Sequence, residues 1–155
     1  YLMSRSDLAN QMAVLLGGRA AESLVFREIS TGASDDLNKA TEIARDMVTR
    51  FGMDDELGHT TYAEEPSQFL GGMRMPSERR YSEETATAID KAVRGLIARA
   101  FERASEILAA RRSLLDETAK RLLEKETLLA EELPAMPPSP DKPEPQEEPK
   151  NQKTG

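Results

Sequence analysis

Residues 30–51 read STGASDDLNKATEIARDMVTRF. Within them Leu37, Ala40, Ile43, Ala44, Met47 and Val48 recur at spacings of three and four, which gathers them on one face of a helix over 35–51. Gly52 follows as a stop signal. Ser34 and the two acids behind it stand where the positive end of a helix dipole favours them. Capping charge is therefore one reading of Asp35 and Asp36. The other is chemical: Glu22 on a preceding helix and Asp35 and Asp36 at the start of this one are carboxylates that could meet across a helix pair, as metal ligands do. Patterning alone leaves both readings open.

Upstream, SDLANQMAVLLGGRAAESLVF predicts a helix over 6–26 with Ser6 as N-cap and a stripe of Leu8, Met12, Leu15, Leu16 and Ala20. Gly17 and Gly18 interrupt it. Two glycines inside a helix cost about 1 kcal/mol each relative to alanine, so they point to a close approach of backbone or to a bend. The helix over 35–51 should sit on this first one. Downstream of Gly52 the periodicity is lost until about Arg80, which predicts a loop containing a short strand near 60–63. Ser82 then opens a long helix with the stripe Ile89, Val93, Leu96, Ile97, Ala100, Phe101, Ala104, Ile107 and Leu108, and Ser113 can cap another. The expected fold is mainly α, ending in an antiparallel helical hairpin over 82–125 and a turn at Thr127.

From Pro134 onward the chain holds seven of its nine prolines and almost no apolar residue after Met136. Such a segment cannot bury enough surface to offset chain entropy, so 134–155 reads as a disordered Pro/Glu-rich tail and 1–133 as the folded part. A chain of 155 residues, 38% hydrophobic and 32% charged, suits one domain with a modest core. Its net charge of −7 argues against nucleic-acid binding, which draws affinity from a basic face. The absence of cysteine removes disulfides and thiolate metal sites and suits a reducing compartment. No apolar run reaches the roughly 20 residues a membrane span needs.

Neither a P-loop nor a G-x-G-x-x-G fingerprint occurs, so no nucleotide site is expected within these residues. The single histidine, His59, sits beside a glycine in the loop; it makes H-E-x-x-H impossible within this sequence and reads as an ordinary loop histidine.

The segments AVLLGGRAAESLVF, EISTGASDDLNKATEIARDMVTRFGMDDELG, YSEETATAIDKAVRGLIARAFERASEIL and LLEKETL, in this order and spacing, resemble the peptidase domain of the FtsH family of membrane-anchored ATP-dependent zinc metalloproteases. The likeness runs from Tyr1 to Leu133. It implies that two zinc-binding histidines and a catalytic glutamate come from an H-E-x-x-H helix, and that Asp36 is the third protein ligand of one zinc per subunit. Asp35 falls on a position often filled by asparagine. Glu22 is similar to a family carboxylate near the metal helix, a supporting group instead of a ligand, and His59 gains no role. The resemblance further implies a homohexamer to which these helices contribute. It also implies an inner-membrane anchor with this domain on the cytoplasmic side, and unfolded or membrane proteins as substrates. The H-E-x-x-H helix, the anchor and the ATPase module that binds ATP and Mg would all precede Tyr1, so the chain alone is expected to be inactive. Two alternatives are a non-catalytic helical interaction module built on 82–125 and a degenerate paralogue.

Overall fold

The computed structural model describes residues 2–63 and 81–133. The chain divides into two units, Tyr1–Arg112 and Ser113–Gly155. The elements are α1 (Arg5–Leu15), α2 (Gly17–Phe26), α3 (Ser34–Thr49), α4 (Glu83–Ala110), α5 (Arg112–Lys125) and a 3-10 turn at Ala130–Glu132. No strand occurs among the described residues; an isolated antiparallel bridge joins Asp54 to Gly58. The chain is thus mainly helical, as the periodicity predicts. No helix among the described residues is long and apolar enough to cross a membrane.

In the first unit α1, α3 and α4 pack on one another and α2 packs on α4. The shared core takes Leu8, Met12 and Leu16 from the first helical stretch, Ala40, Ala44, Met47 and Val48 from α3, and Ile89, Val93, Leu96 and Ala100 from α4. These are mostly the residues of the predicted stripes. Ala40 and Ala44 are wholly buried, and their small side chains leave room for neighbouring helices to approach α3, while Met12 and Met47 fill the space between. A second, smaller cluster of Ala13, Ala20 and Ala104 joins the first helical stretch to α4. Each large apolar side chain buried here contributes about 1.5–3 kcal/mol.

Several boundaries differ from the sequence reading. The N-cap of α1 is Ser4, not Ser6: its hydroxyl accepts the Asp7 N–H at 3.2 Å and the Asp7 carboxylate accepts the Ser4 N–H at 2.9 Å, a reciprocal capping box. The single helix expected over 6–26 is two helices meeting at Leu16. A Cβ added at Gly17 or Gly18 would touch nothing within 4 Å. The pair therefore marks the bend and not a close approach. Ser113 lies inside α5 instead of capping it, because that helix already begins at Arg112. The N-cap role of Ser82 holds, its hydroxyl accepting the Thr85 N–H at 3.2 Å.

The short strand expected near 60–63 is absent. Instead the N–H groups of Tyr62 and Ala63 donate to the Thr49 carbonyl at 2.7 and 3.0 Å, and the Thr61 hydroxyl donates to the same oxygen at 3.2 Å. This segment of β-prone residues pairs with no strand among the described residues and satisfies the exposed carbonyl end of α3 instead. Gly52 turns the chain into that segment with φ +59°. Residues 64–80, including Phe69–Leu70 and Gly71–Gly72, and the Pro-rich residues 134–155 lie outside the described residues.

The second unit holds most of α5 and the turn after it. Glu126, at φ 61°, ends the helix next to the turn expected at Thr127. Glu132 then folds back: its carboxylate pairs with Lys125 and accepts the Leu129 N–H at 3.0 Å, while its carbonyl accepts from Arg121 at 3.3 Å. The Lys125 hydrogen bond holds the Glu132 carboxyl below its ordinary range.

Candidate metal-ligand site at the start of α3

The approach to α3 is fixed by a chain of short hydrogen bonds. Arg27 adopts a left-handed conformation, φ 56°, that ends α2 and turns the backbone. Three residues later Ser30 reaches back to α2: its N–H and its hydroxyl both donate to the Glu22 carboxylate, at 3.1 and 2.8 Å. The same hydroxyl accepts the Gly32 N–H at 3.1 Å. A Cβ at Gly32 would come within 3.2 Å of the Ser30 hydroxyl, so this position requires a residue without one or a shift of Ser30. Ser34 N–H then bonds to Thr31 O at 3.2 Å and α3 begins.

Helix α3 starts without a side-chain cap. Its N-cap is Ala33, and Ser34 is already the first helical residue. The expected capping role of Ser34 is therefore replaced by the Ser30 turn, and Asp35 and Asp36 lie within the first helical turn. The two aspartates differ. Asp35 is exposed. Asp36 has a side chain 47% exposed whose ion-pair partner is Lys39, at a loose 3.7 Å. A half-exposed pair of this length contributes little and is easily displaced, so the Asp36 oxygens are accessible to another cation.

Glu22 does not act as a free carboxylate. The backbone hydrogen bond from Ser30, followed by that from the Ser30 hydroxyl, holds its carboxyl below the ordinary glutamate range, with nearby Arg19 adding a smaller effect. Its structural work is to anchor the loop that delivers Asp36. His59 belongs elsewhere: its backbone packs beside Gly52, past the C-terminal end of α3. A helix of 16 residues is about 24 Å long, so His59 and Asp36 lie near opposite ends of it and share no ligand site. Among the described residues no group of three histidine, cysteine, aspartate or glutamate side chains could hold a metal ion. Asp36 is, like its neighbour Asp35, an accessible carboxylate on the first turn of a helix, a placement that can complete a site only if other donors come from elsewhere.

Sequence reasoning missed two features. The Glu22–Ser30 contact was foreshadowed only by the turn-forming S-T-G at 30–32. The other is an open apolar cleft of about 400 Å³ between α2, α3 and α4, walled by Leu16, Leu37, Thr41, Ile97 and Phe101 and flanked by Arg19 and Arg94. Leu37 follows Asp36 directly, which places the cleft beside the first turn of α3.

Residues 1–136 match the family model described as peptidase family M41, and the chain belongs to that family. It is 55% identical over 139 residues to a protein of Paraburkholderia phymatum named ATP-dependent zinc metalloprotease FtsH, covering 88% of this chain and 21% of that relative. A protein of the same name from Pseudomonas putida is 49% identical over 144 residues, covering 92% and 23% respectively. ATP-dependent zinc metalloprotease FtsH 3 of Synechocystis is 47% identical over 137 residues, covering 87% and 22%. The chain thus spans about a fifth of the length of these relatives. The family read from the S-T-G-A-S and A-T-E-I-A-R segments is the one that matches.

Proposed function

We propose that the chain is the part of an ATP-dependent zinc metalloendopeptidase that supplies Asp36 as a zinc ligand. The observation carrying this reading is the Asp36 carboxylate itself: accessible, loosely paired to Lys39, and held on a rigid first turn behind a loop tied down by Glu22. Membership of peptidase family M41 and the names of the relatives supply the metal and the reaction class. A bound zinc with an open coordination position lowers the pKa of a water molecule toward about 7 and so provides a nucleophile for a peptide carbonyl. Asp36 would hold the ion, and Glu22 would keep Ser30 and Gly32 in the turn that sets the direction of α3. The two histidines and the catalytic base of H-E-x-x-H are absent from these 155 residues, so the chain by itself would not hydrolyse peptides.

The wider reading follows from the same family. It comprises a homohexamer, an ATPase module with ATP and Mg, an anchor in the inner membrane with this domain on the cytoplasmic side, and unfolded or membrane proteins as substrates.

A chimera tests the ligand role. This chain replaces the matching residues of the Paraburkholderia phymatum relative, and zinc content, peptide hydrolysis and ATP hydrolysis are measured. Asp36→Asn is expected to lose zinc and peptide hydrolysis while keeping ATP hydrolysis, because the amide is nearly the same size but a poor zinc ligand. Asp35→Asn is expected to leave zinc content and both activities largely unchanged, since it removes only a helix-dipole charge worth roughly 0.3–1 kcal/mol of stability. Retention of zinc and activity by Asp36→Asn would return that residue to a capping charge. A chimera inactive even with Asp36 intact would favour the degenerate paralogue.

A further inference from the structure

We infer that Arg112, 88 residues along the chain from Leu24, is a positioning residue for Asp36, acting through the last turn of α2 and the contact between Glu22 and Ser30. The inference deepens the metal-ligand reading and rests on it for what Asp36 does. The path from Arg112 to the first turn of α3 is a property of the first unit alone, to which both ends belong.

The path begins where α2 ends. A helix leaves its last four carbonyls without intrahelical donors, and in α2 these belong to Ser23, Leu24, Val25 and Phe26. The Arg27 N–H takes the Ser23 carbonyl at 3.2 Å, and the Arg112 guanidinium donates to the Leu24 carbonyl at 3.2 Å in a part-buried setting. A hydrogen bond from an ionised donor is roughly twice as strong as one between neutral groups. Few side chains hold this end of the helix. Ala20 is the buried residue of α2; beyond it Ala21 to Leu24 are half-buried, and Val25 and Phe26 are exposed. The bond from Arg112 therefore falls on the stretch of α2 that packing secures least.

Glu22 stands one turn before that end, so its own carbonyl is the acceptor for the Phe26 N–H four residues on. Fraying of the last turn removes a backbone bond of Glu22 itself. The Glu22 carboxylate in turn accepts both donors of Ser30, and the Ser30 hydroxyl accepts the Gly32 N–H. Helix α3 then starts without a side-chain cap, with Asp36 in its first turn. The side-chain constraint on that turn comes from the loop behind it, and the loop is only as firm as the end of α2.

Amide hydrogen exchange of the isotope-labelled 155-residue chain tests the path without metal or activity. Arg112→Met keeps a long side chain and removes the donors. It is expected to speed exchange at Phe26, Ser30 and Gly32 by at least about fivefold, while Tyr62 and Ala63, whose N–H groups bond to Thr49 at the other end of α3, change by less than about twofold. Arg112→Lys, which restores a charged donor, is expected to recover most of the protection. In the chimera, Arg112→Met is expected to weaken zinc binding by at least about threefold in a chelator competition, since partners behind a ligand tune its hold on a metal. Unchanged exchange at Ser30 and Gly32 would overturn the inference. Equal acceleration at Tyr62 and Ala63 would overturn it too, because Arg112 would then serve overall stability, as would zinc binding indifferent to Arg112→Met. The ligand assignment fails separately, by retention of zinc in the Asp36→Asn chimera, which leaves the exchange result untouched.

Discussion

At the residue scale the informative carboxylate is Glu22, because its chemistry is visible in the fold. Both donors of Ser30 favour its charged form, so its folded pKa lies below the unfolded one. A depressed carboxylate pKa contributes stability that is fully present above the unfolded value and is lost as pH falls through the folded value. The loop at 30–32 should therefore hold at neutral pH and loosen only in acid. Carbon-detected titration of Glu22 should give a midpoint below that of an unstructured glutamate, with the Ser30 amide resonance moving at the same pH. Glu22→Gln should abolish that movement. A Ser30 resonance indifferent to pH across the acid range would show that the contact does not orient the loop. This pair also marks the limit of legibility at this scale: S-T-G signals a turn, but only the folded backbone of α2 shows where Ser30 finds its partner.

Among the elements, the glycines separate into two kinds that look alike on paper. Gly52 has φ +59°, and a Cβ there would approach the His59 backbone at 3.3 Å. Gly52→Ala should destabilise the first unit by about 1–2 kcal/mol, from the left-handed backbone and the contact together. Gly17 opens α2 with free space around it, so Gly17→Ala should leave stability unchanged or raise it by up to about 0.5–1 kcal/mol. Chemical denaturation of both variants checks the contrast, and a loss at Gly17 would mean that the bend at Leu16 needs glycine after it. Ser82→Ala should cost about 1 kcal/mol, since the hydroxyl satisfies the Thr85 N–H at the start of a 28-residue helix.

On the scale of the whole molecule, apolar surface remains after the helices have packed. Phe26 is 71% exposed and Ile29 50% exposed, and Ile29 also borders the cleft. Apolar surface continuous with a groove tends to find a partner. The chain in isolation should associate as its concentration rises, and Phe26→Ser should reduce that association without lowering helical circular dichroism. Sedimentation of a single monomeric species at high concentration would refute this. In the second unit α5 has no buried residue, and Leu122 and Leu123 are exposed. That is the feature by which an interaction module built on 82–125 would be recognised, and it is strongest on α5: on α4, Ile89, Val93, Leu96, Ala100 and Ala104 are all buried, and of its apolar stripe Ile107 near its end is 44% exposed.

The sequence by itself determined the helical class and most core positions, because a buried stripe must recur with the period of the helix: Leu8, Met12, Ala40, Met47, Ile89 and Val93 all follow it. It also carried the family, through segments too long and specific to recur by chance. Periodicity could not place the break at Leu16, since the buried Leu8, Met12, Leu16 and Ala20 keep a four-residue spacing straight through it. Nor could it assign 60–63, where the N–H groups of β-prone residues satisfy the Thr49 carbonyl at the end of α3 instead of a strand partner. The anchoring of Asp36's loop by Glu22 and the two arginines beside an apolar cleft were decided only by tertiary structure. Each depends on side chains brought together from different helices, and spacing along one helix records nothing of its neighbours.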